Sequence, residues 1–191
     1  MRVSPSRSLA DGSRRRTGRA PRILPGAKDA VNQKNDNPEP LYLEDLHVGQ
    51  RFTSGLYHLD KAQIKAFAAE FDPQPFHLDE TAAQLGVFRG LAASGWHTAA
   101  ATMRLLVTGD LRFADGSIGL GAELAWTKPV RPGDTLRVES EIVEISPSRT
   151  KPDRGVVTVR SVTLNQNGDQ VQVLTAKMLV FKRTADSKLP L

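Results

Sequence analysis

The stretch Asp72-Pro73-Gln74-Pro75-Phe76-His77 most constrains the fold of this chain, because two prolines stiffen the backbone between a carboxylate and an imidazole. Each proline fixes its own φ and pushes the residue before it out of helical geometry, so a preceding helix must end here. The side chains of Asp72 and His77 can then point at one spot. A carboxylate and a neutral imidazole at one spot could hold a water molecule and exchange protons near neutral pH.

The same residues also fit an ordinary helix-ending loop, in which Asp72 caps the next helix and His77 is buried or solvated. Residues 90–98 favour the functional interpretation, because they lead from a loop into a small, apolar run between Ala99 and Val107. A helix N-terminus can receive a carbonyl oxygen that is becoming negative. Gly95 would let a ligand approach the backbone there, although it also suits tight helix packing.

Hydrophobic periodicity and turn signals predict an α+β domain with one antiparallel sheet of about five strands wrapped around a long central helix. Asn-Gly in residues 165–169 is a strong hairpin signal between the last two strands. The predicted helices are Asp60 (cap) to about Phe71, Asp79 to Leu85, and Ser94 to about Val107. The predicted strands are Arg51 to Leu59, Gly119 to Thr127, Thr135 to Ile145, Gly155 to Asn165 and Gln170 to Arg183.

Charge separates the first 40 residues from the rest. The chain has a net charge of +5, and residues 1–40 hold nine Lys/Arg against four Asp/Glu, so the remainder is neutral. With little apolar surface to bury, residues 1–40 are predicted to be a disordered basic extension and residues 184–191 a short tail around a single domain of residues 41–183. The extension could attract RNA or a membrane, serve as a transit-like peptide, or be an inert or artefactual addition.

The chain contains no cysteine, which excludes a disulfide framework, a thiolate zinc site and a cysteine nucleophile. No apolar run approaches the roughly 20 residues of a membrane span, and the first 25 residues lack the apolar core of a secretory signal. We therefore expect a cytoplasmic protein without membrane partners. The histidines lack metal-ligand spacing, so no metal site is expected.

Nearly all of residues 41–183 resembles the MaoC-like acyl dehydratases and the (R)-specific enoyl-CoA hydratases of the hotdog fold. The family motif Asp-x-Asn-Pro-x-His stands here as residues 72–77. Two further features are similar to the family: the Ser94-Gly95 entry into the central helix, and Lys128-Pro129-Val130-Arg131-Pro132-Gly133-Asp134, which matches the turn Pro-Val-x-x-Gly-Asp.

The resemblance implies a homodimer, joined sheet edge to sheet edge, that hydrates a trans-2-enoyl-CoA or related thioester reversibly to a 3-hydroxyacyl-CoA. Asp72 and His77 would be the catalytic dyad, and the Gly95 N–H would polarise the thioester carbonyl. This lyase chemistry, a part of acyl-CoA and fatty acid metabolism, needs no metal or redox cofactor. Coenzyme A, or an acyl carrier protein, would enter only as part of the substrate, and nucleic acid is not an expected partner.

Three residues depart from the family pattern: Gln74 replaces Asn, Ser94 stands where many members have His, and Met103 stands where a helix serine is frequent. The longer Gln74 side chain must brace the loop differently or lose that hydrogen bond. The residues expected to bind substrate or shape the acyl pocket are Gln74, Phe76, Phe88, Ser94, Trp96 and Met103. The bulk of Trp96 suggests a short or unusual acyl group, but these aromatic residues also fit a simple core role.

Alternatives remain open from the sequence. In a hotdog thioesterase, Asp72 would activate water for attack on the thioester carbonyl, and the fold alone does not separate the two reactions. In a non-catalytic acyl-thioester-binding subunit, the replacement of the family Asn by Gln74 would have abolished catalysis. Arg89, Lys128 and Arg131 could contact coenzyme A phosphates, although basic loop residues are more often simply solvated. His97 could touch substrate, although packing is the simpler explanation.

Overall fold

The computed structural model describes residues 39–183. The predictions for the basic extension and the C-terminal tail therefore lie outside the described residues, apart from residues 39 and 40. The helices are α1 (Lys61–Phe71), α2 (Pro75–Leu78), α3 (Glu80–Leu85) and α4 (Gly95–Thr108), preceded by a 3₁₀ turn at Leu43–Asp45. The strands are β1 (Arg51–Thr53), β2 (Tyr57–His58), β3 (Ile118–Trp126), β4 (Thr135–Pro147), β5 (Arg154–Leu164) and β6 (Gln170–Phe181).

The sheet is antiparallel, in the order β1-β4-β5-β6-β3, and β2 also pairs with β4. The prediction of a single first strand is wrong, because Ser54 interrupts it. The Ser54 N–H donates to the Val138 carbonyl at 3.0 Å, and the Ser54 hydroxyl accepts from the Val138 N–H at 2.8 Å. A side chain thus takes one place in the β ladder, and the sheet has six strands instead of about five.

Helix α1 begins and ends where local chemistry requires. The Asp60 carboxylate accepts from the Gln63 N–H at 2.8 Å, and the Gln63 side chain accepts from the Asp60 N–H at 2.8 Å, which forms a capping box. The helix ends at Asp72, directly before Pro73. Pro75 then opens α2, since the first position of a helix needs no N–H donor. The predicted loop at residues 72–77 therefore contains one helical turn, and this turn carries His77.

The sheet wraps around α4, as predicted. Leu105 on α4 is fully buried and packs in one cluster with Leu136 and Val138 of β4 and Val171 of β6. Burial of a leucine side chain contributes about 1.5–3 kcal/mol, so this cluster fixes the helix against the inner face of the sheet. Within residues 39–183, no helix is long and apolar enough to span a bilayer.

Candidate active site

The structure brings Asp72 and His77 together, as the two prolines predict. Asp72 ends α1 and His77 lies on α2, and the His77 Nε2 is 3.3 Å from the Asp72 Oδ2. Both groups are largely shielded from water, since the side chains are 17% and 5% exposed respectively. An imidazole and a carboxylate therefore meet in a protected place where proton transfer is possible.

The orientation of the His77 ring determines which nitrogen is available for chemistry. The Nδ1 atom lies 2.8 Å from the Ala92 carbonyl oxygen, which can only accept a hydrogen bond. Nδ1 therefore carries the proton and donates it to Ala92. In neutral His77, the lone pair of Nε2 then faces the Asp72 carboxylate. The ring of Phe76 packs edge-on against the imidazole at 4.5 Å and holds this orientation.

The Asp72 carboxylate accepts hydrogen bonds from both sides. The Ser94 hydroxyl donates to Oδ2 at 2.6 Å, and the Gln74 Nε2 donates to Oδ1 at 2.7 Å. Chiefly because of the Ser94 hydrogen bond, and with smaller contributions from Gln74 and from the protonated form of His77, the pKa of Asp72 is lowered, although burial opposes this shift. Asp72 is therefore ionised at neutral pH. Gln74 makes a direct bond to the carboxylate despite its extra methylene.

Ser94 joins the carboxylate to the start of α4. While donating to Asp72, its hydroxyl accepts from the Trp96 N–H at 3.2 Å and so caps the helix. Ser94 itself is fully buried and lies behind the carboxylate. Gly95 is the first residue of α4, and its N–H has no acceptor among the residues that the structure describes. The carboxylate, the imidazole and an available helix N-terminus thus form one unit.

These groups open into a cleft of about 490 Å³. Of the residues predicted to bind substrate, Gln74, Phe76, Phe88 and Trp96 line it. Met103 does not, because it faces a separate apolar cavity of about 40 Å³ further along α4. The other residues that line the cleft are Asp72, His77, Ala93, Gly95, Thr98, Trp126, Thr127, Lys128, Pro129 and Val130.

Trp126 is one of the lining residues that sequence reasoning missed as part of the site. Its indole lies directly against Gly95: a Cβ placed on Gly95 would be 2.6 Å from the Trp126 Cε2 atom. Glycine is therefore required here because an aromatic ring occupies the space that a side chain would need. Trp96 packs edge-on against the same indole, with ring centroids 5.4 Å apart. The only signal in the sequence was the alternation that placed Trp126 at the end of a strand.

The structure gives the other candidate residues, His97, Arg131 and Lys128, different surroundings. His97 is buried, stacks on Phe67 at 4.6 Å, and burial lowers its pKa to about 4. It is not part of the cleft lining, so packing describes it better than substrate contact. The Arg131 guanidinium donates to the carbonyls of Phe88, Gly90 and Leu91, and it therefore clamps the loop before α4. Lys128 lines the cleft and pairs with Asp169 at 2.5 Å.

Comparison with known proteins gives a consistent result. A sequence model described as the MaoC like domain matches residues 45–165. The crystal structure of a MaoC-like dehydratase from Rhodospirillum rubrum is 60% identical, with a TM-score of 0.74 over 75% of this chain and 99% of that one. The R-hydratase PhaJ1 from Pseudomonas aeruginosa is 29% identical, with a TM-score of 0.61 over 80% of this chain and 95% of that one.

A mesaconyl-CoA hydratase from Cereibacter sphaeroides is 41% identical over 69 residues. The match covers 36% of this chain but only 20% of that hydratase. It therefore compares one segment of a much longer protein.

Proposed function

The chain belongs to the MaoC-like family and has its hotdog fold, and we propose that it catalyses the reversible hydration of a trans-2-enoyl thioester, such as a trans-2-enoyl-CoA, to the 3-hydroxyacyl thioester. One observation carries the proposal. The Nε2 of His77, which carries no proton in the neutral imidazole, and the Asp72 carboxylate meet 3.3 Å apart in the cleft that Gly95 also lines. Among the described residues, the Gly95 N–H has no acceptor. The hydratase names of two relatives support the same reaction class.

In the proposed reaction, one water molecule bridges Asp72 and His77. Nε2 of His77 takes a proton from this water as its oxygen attacks C3 of the enoyl group. The C2=C3 electron pair moves toward the thioester oxygen, giving an enolate. The imidazolium then returns the proton to C2 on the same face. One hydroxyl and one hydrogen are added, which is syn hydration, and neither a metal nor a redox cofactor takes part.

Asp72 stabilises the imidazolium in this scheme. Its lowered pKa keeps it charged when His77 becomes protonated, so the two opposite charges face each other in a site with little water. The two hydrogen bonds from Ser94 and Gln74 hold the carboxylate in place before the reaction begins. The geometry is therefore organised before substrate binds, as electrostatic catalysis requires.

Gly95 stabilises the other charge. The Gly95 N–H at the positive end of α4 would donate to the thioester oxygen, where negative charge develops in the enolate. Removing one such donor typically costs about 10²–10³ in rate, so this contact is as important as the dyad.

The test is an assay for hydration of crotonyl-CoA. Loss of the enoyl-thioester absorbance measures the rate, and the product is then identified. Formation of 3-hydroxybutyryl-CoA that depends on His77 would support the proposal. Release of free thiol from butyryl-CoA, without any reaction of the enoyl group, would instead assign a thioesterase. Binding of butyryl-CoA and crotonyl-CoA without turnover of either would indicate a non-catalytic binding subunit.

Ser94→Ala is expected to raise the pKa of Asp72. The Ser94 hydroxyl is the largest cause of the lowered pKa of this carboxyl group, so its removal favours the protonated acid. An NMR titration of the Asp72 carboxyl carbon measures this pKa directly, and the midpoint in the variant is expected at higher pH than in the wild type.

Ser146→Ala is the matched control, because it removes a serine-to-carboxylate hydrogen bond to Glu144 on the exposed end of β4. Its Asp72 titration is expected to coincide with that of the wild type. An unchanged Asp72 midpoint in Ser94→Ala would contradict the role of Ser94.

We also propose that the protein is a homodimer. Strand β3 pairs only with β6 among the described strands and is exposed along almost its whole length, with Leu120 57% exposed. On α4, an exposed apolar stripe recurs at helical spacing in Trp96, Ala100, Met103 and Val107. An unpaired edge strand beside an apolar stripe fits a second copy of the same chain, paired β3 to β3.

Leu120→Asp is expected to dissociate this dimer, because it places a charge in the apolar contact. Light scattering should give twice the chain mass of 20.9 kDa for the wild type and a mass near 20.9 kDa for the variant. Val48→Asp, at a site that is 60% exposed and outside the proposed interface, should leave the mass unchanged. A wild-type mass of 20.9 kDa would contradict the proposal.

A further inference from the structure

We propose that a hydrogen-bonded group of four side chains, in which three fully buried residues hold the 46% exposed Trp126, closes the inner end of the cleft and restricts the substrate to short, crotonyl-sized acyl groups. These residues are Trp126, Gln172, Thr102 and Thr163, here called the Trp126 plug. The inference rests on the proposed function, in which the cleft binds the acyl part of an enoyl thioester. It adds the feature of this chain that limits acyl length.

The plug is a continuous chain of hydrogen bonds. The Trp126 Nε1–H donates to the Gln172 Oε1 at 3.1 Å, and the Gln172 Nε2 donates to the Thr102 hydroxyl at 2.9 Å. The hydroxyls of Thr102 and Thr163 are 2.8 Å apart. Gln172, Thr102 and Thr163 are completely buried. Four elements, β3, β6, α4 and β5, each contribute one residue, so the position of the indole is fixed by the whole inner layer of the domain.

On the sheet, the plug separates the cleft from the apolar cavity that Met103 lines. Trp126, which lines the cleft, pairs with Gln172, and Gln172 pairs with Thr163. Two residues further along β6 and β5, on the same face, Leu174 and Ser161 line the apolar cavity. The three paired plug residues therefore form a row across the sheet between the two spaces.

The helix shows the same order. Thr98 lines the cleft, Thr102 follows one turn later within the plug, and Met103 and Leu106 line the apolar cavity. An acyl chain that grew from the cleft along α4 would meet the plug before it reached the apolar space beyond. On both the sheet and α4, the plug residues thus lie between the cleft and the apolar cavity.

Passage through the plug would be unfavourable for a hydrocarbon. The chain would have to displace the indole from Gly95 and leave buried amide and hydroxyl groups without partners. The free energy lost by leaving several such groups unpaired exceeds the free energy gained when each added methylene leaves water. A short acyl group ends before the plug and avoids this loss.

The decisive variant is Trp126→Ala, compared with the wild type by kcat/KM for crotonyl-CoA and for trans-2-octenoyl-CoA. The wild type should prefer crotonyl-CoA, and Trp126→Ala should lower this preference by about tenfold or more, because it removes the indole that closes the inner end of the cleft. Trp126→Phe keeps a ring in place and should retain most of the preference. Trp126→Leu replaces Trp126→Ala if the latter does not fold.

Gln172→Met tests the positioning of the indole, since it removes the hydrogen bonds at similar volume. It should lower the crotonyl preference by less than Trp126→Ala does. A purely structural role for the plug would reduce kcat/KM for both substrates by the same factor and leave their ratio unchanged, which would overturn the inference. Equal use of both substrates by the wild type would also overturn it.

Binding measurements separate this inference from the proposed function. Both tryptophans of the chain line the cleft, so their fluorescence reports binding of the saturated thioesters butyryl-CoA and octanoyl-CoA without any turnover. If no enoyl-CoA is hydrated, the hydratase proposal fails. The plug is then supported if Trp126→Ala, reporting through Trp96, binds octanoyl-CoA more tightly relative to butyryl-CoA than the wild type does. It is refuted if this ratio is unchanged.

Discussion

His77→Ala is expected to lower kcat/KM for crotonyl-CoA by about 10³-fold, within the 10²–10⁴-fold range of general acid–base catalysis. In the proposed reaction, Nε2 of His77 is the only group that takes the proton from water and returns it to C2. Alanine leaves the bridging water without a base, while Asp72 and the Gly95 N–H stay in place. The expected loss therefore falls mainly on kcat instead of KM.

The control for this variant is His58→Ala, which removes an exposed imidazole on β2 that is hydrogen-bonded to the Thr135 hydroxyl and lies outside the cleft lining. Its activity should be close to that of the wild type. Thermal unfolding should show that His77→Ala is still folded, although the variant loses the hydrogen bond to Ala92, worth about 1 kcal/mol, and the packing of the buried ring against Phe76. A folded His77→Ala enzyme with near-normal rates would remove His77 from the mechanism.

Asp72→Asn is expected to reduce kcat/KM for crotonyl-CoA by at least about 10²-fold. The side chain keeps its size but loses the charge that stabilises the imidazolium. It also loses an acceptor, because the Ser94 hydroxyl and the Gln74 amide now face a group that can accept on only one atom. Asp110→Asn, which alters a carboxylate hydrogen-bonded to Thr53 outside the cleft, serves as the control. Activity equal to the wild type in Asp72→Asn would exclude the dyad.

The same substitution tests the electrostatic state of Asp72. Its pKa is lowered in the folded protein, so ionised Asp72 stabilises the fold above its unfolded pKa, and this stabilisation is lost as pH falls through the folded value. Asp72→Asn should therefore lower the unfolding temperature at neutral pH more than in acid. A loss of stability that is independent of pH would contradict the ionised assignment.

Sequence reasoning located the dyad because Asp72 and His77 are close in the chain, and local sterics control the backbone between them. It did not find the partners that define their chemistry. Ser94 is 22 residues from Asp72, and the Ala92 carbonyl is 15 residues from His77. Hydrogen bonds between distant segments depend on how α4 docks on the sheet, which no local pattern specifies. For the same reason, alternation placed Trp126 on a strand but did not show that its ring covers Gly95.

The sequence by itself determined most of the helices and strands, the antiparallel α+β architecture and the pairing of a carboxylate with an imidazole, but not the break at Ser54, which depends on its contact with Val138. These features follow from backbone sterics, capping and side-chain periodicity, which act over a few residues. The tertiary structure decided which nitrogen of His77 faces Asp72, why the pKa of Asp72 is lowered, and why the indole of Trp126 lies against Gly95. Those properties depend on burial and on contacts between residues from separate elements, which exist only once the sheet has closed around α4.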